Sequence, residues 1–183
     1  MTYELKVAGL TRELPLCPIS EELMIAGFVL VGDTELTERC AEALCRILPE
    51  HDVIITAETK GIPLAASMAR VMGQERYIVA RKGVKLYMKD IVKCEVTSIT
   101  TEGKQCLYLD GADAERMRGR RVVIVDDVIS TGQSLHALEE LVKLAGGRIV
   151  CRAAVLAEGD AIGRSDIRYL APLPLFDKTG NPL

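Results

Sequence analysis

Residues 122–134, VVIVDDVISTGQS, set an apolar run directly ahead of two adjacent carboxylates, Asp126 and Asp127, and follow them with Ser130, Thr131, Gly132, Gln133 and Ser134. That order of residue types makes an anion cradle. The N–H groups that open a helix have no partner inside it, the helix dipole favours negative charge there, and a glycine lets the backbone come close to a phosphate. The hydroxyls add donors, while the paired acids can accept from sugar hydroxyls or hold Mg²⁺. Asp127 or Ser130 acting only as a helix cap is the plainer alternative, and the Ser-Thr-Gly run at this offset favours the cradle. The Walker pattern G-x-x-x-x-G-K-[ST] is absent, which argues against a nucleoside triphosphatase.

Two further segments carry groups suited to a polyphosphate. TAETKGIPLA (56–65) follows an apolar run, and its Glu58, Thr59, Lys60 and Gly61 offer backbone amides and one cation at a strand-to-helix turn. RKGVKLYMKD (81–90) gathers Arg81, Lys82 and Lys85 in a stretch with no sustained period, as expected of an exposed loop. On its own such a stretch is a solvated basic face.

These segments need a frame. DVIITA (52–57), RYIVA (76–80), RVVIVDD (121–127) and RIVCRAAVLAEG (148–159) read as strands. Helical spacing marks a segment capped by Asp33 or Thr34, a second from Gly61 to Gly73, and a third through SLHALEELVKLAGG. CEVTSIT (94–100) and QCLYL (105–109) read as a hairpin, and GADAERMRGR (111–120) carries a short helical turn. Strands alternating with helices imply an α/β fold, a parallel sheet covered on both faces, with ligands at the carboxyl ends of its strands. The first ~30 residues and the last ~20 break this rhythm, and the proline-rich tail is unsuited to a helix. Both ends are expected to pack together beside the sheet.

Composition agrees with that frame. The 183 residues are 49% hydrophobic but only 4% aromatic, with no Trp, so the core must be built from Val, Ile, Leu and Ala. A net charge of −3 argues against broad binding to nucleic acid. No apolar run reaches the roughly 20 residues of a membrane span, and no signal peptide is evident at the start. Six cysteines show no C-x-x-C and no neighbouring histidine, as expected of reduced core residues in a cytoplasmic protein.

The paired acids followed by Thr-Gly resemble the hallmark of the type I phosphoribosyltransferases. The resemblance implies that family's fold: one domain, with a core at 33–160 and a small hood from 1–32 and 161–183. It implies phosphoribosyl pyrophosphate (PRPP) as substrate, with Asp126 and Asp127 on the ribose hydroxyls and on Mg²⁺, and 130–134 on the 5′-phosphate. Glu58, Thr59, Lys60, Gly61, Arg81, Lys82 and Lys85 would meet the pyrophosphate. The 81–100 region would close over the site, with Arg81, Lys85 and a general acid, Glu102 or Glu95, in the catalytic role.

ARKGVKL, Glu158 after the last strand and YLAPLPLF are most similar to adenine phosphoribosyltransferases. Phe28, Ile129 and Glu158 are then the expected base-facing residues, a core role for Phe28 remaining open. Three features depart from that pattern: no Arg-Asp-Ile segment near the start, Lys60 in place of an arginine, and a shifted loop acid. The implied reaction is adenine plus PRPP giving AMP and pyrophosphate in a cytoplasmic homodimer. The alternatives are a hypoxanthine or xanthine transferase, or a nucleotide-sensing regulator of the same fold.

Overall fold

A computed structural model describes residues 1–97 and 104–183. In chain order, the elements are β1 (Thr2–Val7), β2 (Leu10–Pro18), β3 (Leu23–Ala26), α1 (Thr34–Cys45), β4 (Val53–Ala57), α2 (Ile62–Val71), β5 (Ile78–Ala80), β6 (Val92–Thr97), β7 (Lys104–Leu109), α3 (Gly111–Met117), β8 (Arg121–Ile129), α4 (Gln133–Leu144), β9 (Arg148–Glu158), β10 (Ile167–Leu173) and β11 (Phe176–Asp177).

The five strands β10-β9-β8-β4-β5 form one parallel sheet. Its central strands are buried on both faces, which explains unbroken runs such as Val53–Ala57. On one face Leu36, Cys40 and Leu44 of α1 and Leu64 and Met68 of α2 pack against Ile54, Val123 and Val155. On the other, Met117 of α3 and Leu138 and Leu141 of α4 pack against Ile55, Val122 and Ile124. Capping fixes where the helices start. Leu36 donates its amide to Asp33 Oδ1 at 3.0 Å, Ala112 donates to Asp110 Oδ1 at 3.1 Å, and a proline sits in the first turn of α2.

Strand order reverses between β4 and β8: β5 lies beyond β4 on one side, and β9 and β10 lie beyond β8 on the other. The crevice at the carboxyl ends of β4 and β8 is therefore the place where connections diverge and a ligand can enter.

A second sheet, β1-β2-β3-β11, joins the first residues of the chain to nearly the last. Phe176 of β11 is buried and meets Tyr3 edge-on at 5.1 Å. Arg12 Nε donates to Asp33 Oδ2 at 2.7 Å, which ties β2 to the capping residue of α1. The expectation that everything after residue 160 lies in this small layer is corrected by β10, which forms the edge of the parallel sheet. Pro172 is tolerated there because an edge strand has one side whose N–H groups need no partner strand. The antiparallel hairpin β6–β7 packs over α4.

Candidate active site

The two turns that follow β4 and β8 meet in a cleft of about 580 Å³. Glu58, Thr59, Lys60 and Lys82 line one side, while Asp126, Asp127, Ser130, Ser134 and Glu158 line the other. A smaller concavity of about 150 Å³, bounded by residues 128–135 and Asp126, continues from it. Gly132, with φ 80° and ψ 7°, takes the left-handed conformation just before α4, and this turns the opening amides of the helix toward that concavity.

The paired acids differ in surroundings. Asp127 is buried, and its Oδ2 has no hydrogen-bond partner among the described residues. Asp126 Oδ1 accepts from the Asp127 amide at 2.9 Å. Burial, reinforced by the neighbouring Asp127 carboxylate, pushes the Asp126 carboxyl well above the ordinary range, with Lys60 acting in the opposite direction. A buried, unpartnered carboxylate oxygen is costly in an empty cleft and becomes useful when a hydroxyl or a cation arrives. Among the described residues no set of three or more acids, cysteines and histidines could hold a metal. A cation here would rest on Asp126 and Asp127 and draw its other oxygens from substrate and water, which fits the coordination habit of Mg²⁺.

The turn after β4 is held tightly. Glu58 donates its amide to Ala80 O at 2.9 Å, and its Oε2 accepts the Lys82 amide at 2.9 Å. That amide, followed by the charge of Arg81, holds the Glu58 carboxyl below its usual value. The Glu58–Thr59 peptide bond is cis. Gly61 comes so close to β4 that a β-carbon there would collide with Thr56 Oγ1 and lie 3.3 Å from Asp126 Oδ1. Thr56 is fully buried, and its hydroxyl is unpartnered among the described residues. Glu158 is half-buried at the end of β9. Burial raises its carboxyl, against a hydrogen bond with Ser130 and the charge of Lys60.

The structure brings together in the main cleft Glu58, Thr59, Lys60, Lys82, Asp126, Asp127, Ser130, Ser134 and Glu158. Thr131, Gly132, Gln133 and Ile129 border the smaller concavity, with Ile129 also buried in the core. Arg81 lies outside the lining. Its backbone bridges to Tyr108, and its guanidinium pairs with Glu58 at 3.5 Å. Lys85 also lies outside the lining and donates its amide to Met88 Sδ at 3.2 Å. Phe28 is buried among the residues beneath the small sheet and away from the cleft. Glu95 pairs with Lys93 at 2.9 Å, and Glu102 falls outside the described residues. Cys106 and Leu107 of β7 line the cleft as well. Strand alternation points adjacent residues to opposite faces, so their joint place at the cleft has no local signal in the sequence.

A parallel sheet with paired acids and a helix-opening turn at its switch point defines a class of α/β proteins whose ligand crevice lies at the carboxyl ends of the strands. Residues 34–171 match the family described as the phosphoribosyl transferase domain, and the chain belongs to that family. It is 31% identical over 176 residues to an adenine phosphoribosyltransferase of Mycobacterium avium, covering 94% of this chain and 92% of that one. It is 33% identical over 144 residues to a hypoxanthine/guanine phosphoribosyltransferase of Methanococcus voltae, covering 79% and 72% respectively. The fold is similar to that of a crystalline adenine phosphoribosyltransferase from Thermoanaerobacter pseudethanolicus. That match has a TM-score of 0.70 at 24% identity and covers 87% of this chain and 95% of the other.

Proposed function

We propose that the protein transfers the phosphoribosyl group of PRPP to a purine base, adenine ahead of the others, releasing pyrophosphate. One observation carries this reading: the helix-opening cradle at 130–134, the paired acids and the lysine-bearing turn share one cleft. The identity to the adenine enzyme of M. avium, spread over nearly the whole of both chains, supports adenine as the acceptor.

In this reaction the bond from ribose C1 to a pyrophosphate oxygen breaks, a bond from C1 to the base nitrogen forms, and the proton on that nitrogen is released. Positive charge grows at C1 as negative charge leaves on the pyrophosphate, so positioning and charge balance are the protein's contribution. The amides and hydroxyls of 130–134 hold the 5′-phosphate. Asp126 and Asp127 accept hydrogen bonds from the ribose hydroxyls and would also hold Mg²⁺, which when bound offsets the charge of the leaving group. The amides of 58–61, with Lys60 and Lys82, receive the pyrophosphate. Glu58 fixes the Lys82 backbone beside it. Glu158, set by Ser130, faces the remaining space, where the base would sit.

Within the same proposal the sheet β1-β2-β3-β11 is the hood over the base. Val84, Leu86 and Tyr87, all strongly exposed just after Lys82, are the surface on which a second copy docks. Six free cysteines suit a reducing cytoplasm. Among the described residues no helix is long and apolar enough to cross a membrane.

A 6-oxopurine acceptor is the second reading, favoured by the identity to the M. voltae enzyme. A site whose acceptor pairs with the exocyclic amine of adenine leaves that acceptor unpaired against a carbonyl, which costs about 1–3 kcal/mol. Initial rates with adenine, hypoxanthine, guanine and xanthine at saturating PRPP and Mg²⁺ separate the readings. Adenine should show the highest kcat/KM. A higher value for a 6-oxopurine reassigns the base, and tight PRPP binding with no turnover of any base points to a regulator.

A further inference from the structure

The opposite end of the parallel sheet holds a second cleft, of about 360 Å³, bounded by the amino-terminal ends of β4 and β5 and by the turn into β8. Three arginines from separate segments border it: Arg76 ahead of β5, Arg116 on α3 and Arg120 ahead of β8. Arg116 is engaged by Asp113 at 2.7 Å. Among the described residues the side chains of Arg76 and Arg120 donate no hydrogen bond. Two acids share the lining, Asp52 and Glu75. Asp52 is already committed to Arg121, whose backbone amide, Nε and Nη2 all donate to it at 2.8–3.1 Å. Arg120 attracts Asp52 only weakly beside Arg121, and three arginines face two acids across the lining. Glu75 is exposed.

Two other features make this more than a basic surface. Gln74 Oε1 is buried on the wall of the cleft with no partner among the described residues, an acceptor that invites a donor from a ligand. The floor is apolar, formed by Val53 and Ile78, both buried. Planar guanidinium groups recognise phosphoryl oxygens by paired hydrogen bonds, and an apolar floor suits the flat face of a ring. The volume lies near the lower end of ligand pockets, about 300–1,000 Å³, and so suits a mononucleotide better than a dinucleotide.

We propose that this cleft is a second anion site, taking a nucleotide-sized organic phosphate whose phosphoryl group lies between Arg76 and Arg120 and whose hydroxyl or amine donates to Gln74. The site is separate from the cleft at the carboxyl ends of the strands and does not depend on the function assigned there. Being joined to that cleft through β4 and β8, it is placed for an effector.

Hydrogen exchange with AMP as the probe tests the proposal. AMP at millimolar concentration should slow the amides of 74–78 and 116–121 in the parent protein. It should do so equally in the Asp126→Asn/Asp127→Asn variant, in which the other cleft is disabled. In Arg76→Ser/Arg120→Ser the AMP concentration needed should rise at least tenfold. Its thermal midpoint without ligand should match the parent's, because both side chains are exposed. Inorganic phosphate alone should protect the same amides more weakly, while adenosine should not protect them. Three results would overturn the proposal: no protection by AMP, protection that survives the loss of both arginines, or protection that vanishes in the Asp126→Asn/Asp127→Asn variant and is therefore relayed from the other cleft.

Discussion

Gly61 lies in the turn after β4 and Asp126 in the strand β8, yet a β-carbon on Gly61 would stand 3.3 Å from Asp126 Oδ1. A methyl group at Gly61 would crowd Asp126 and collide with Thr56 Oγ1 of β4. Gly61→Ala should overpack this contact and destabilise the protein by about 1–3 kcal/mol. Because the displaced groups are those proposed to bind PRPP, affinity for PRPP should fall at least tenfold. Urea unfolding and calorimetric titration read the two effects separately.

The Asp126 carboxyl gives a second test, with a definite sign. Folding raises it above the ordinary aspartate value of 3.8. Between that value and the raised one, the native state keeps a proton that the unfolded chain has lost, so this group's contribution to stability falls as pH rises through the window. Asp126→Asn removes the slope and can still accept from the Asp127 amide. The variant should melt above the parent at pH 8, the difference shrinking toward pH 4, and should bind PRPP far more weakly. A variant that melts below the parent at pH 8 would contradict this account.

Glu58 is expected to act through the backbone. Its Oε2 holds the Lys82 amide at 2.9 Å, linking the turn after β4 to the stretch after β5. Glu58→Ala should speed exchange of the Lys82 amide at least tenfold under native conditions, and Glu58→Gln, which keeps an acceptor, should restore much of the protection. An unchanged Lys82 exchange rate in the alanine variant would show that Arg81 and its bridge to Tyr108 suffice.

The cysteines should report occupancy of the cleft. Cys17 is exposed and Cys106 lines the cleft, whereas Cys40 is buried, and that burial pushes its thiol up to about 12. Iodoacetamide should label Cys17 and Cys106 and leave Cys40 unmodified. PRPP with Mg²⁺ should shield Cys106 alone, as peptide mass mapping can show. Equal labelling of Cys106 with and without PRPP would place the ligand elsewhere.

What the sequence discloses depends on how local the determinant is. The strand, turn and helix start at 122–134 are legible because apolar run, acids, glycine and helix former lie in one segment. Four of the five strands of the parallel sheet and their helices are legible for the same reason, through periodicity. β10 is not, because Pro172 argues against a central strand and nothing local announces an edge. Phe28 illustrates another limit. A lone aromatic near a suspected pocket looks like a base platform, and its burial beneath the small sheet is decided by pairings between distant segments. Cys106 and Leu107 reach the cleft only because their hairpin lies on α4, a contact between elements that no short window contains.

The small sheet has a consequence for the order of folding. Its β3–β11 pairing and the Lys178–Glu22 ion pair join positions as much as 156 residues apart. During synthesis, every strand of the parallel sheet has emerged before β11 does. The long closure must then be made onto a largely finished scaffold, with only two residues of β11 to reward it. This layer should therefore be the last to assemble and the first to open, exchanging its amides through a partial unfolding that leaves the parallel sheet and the turn at 130–134 standing.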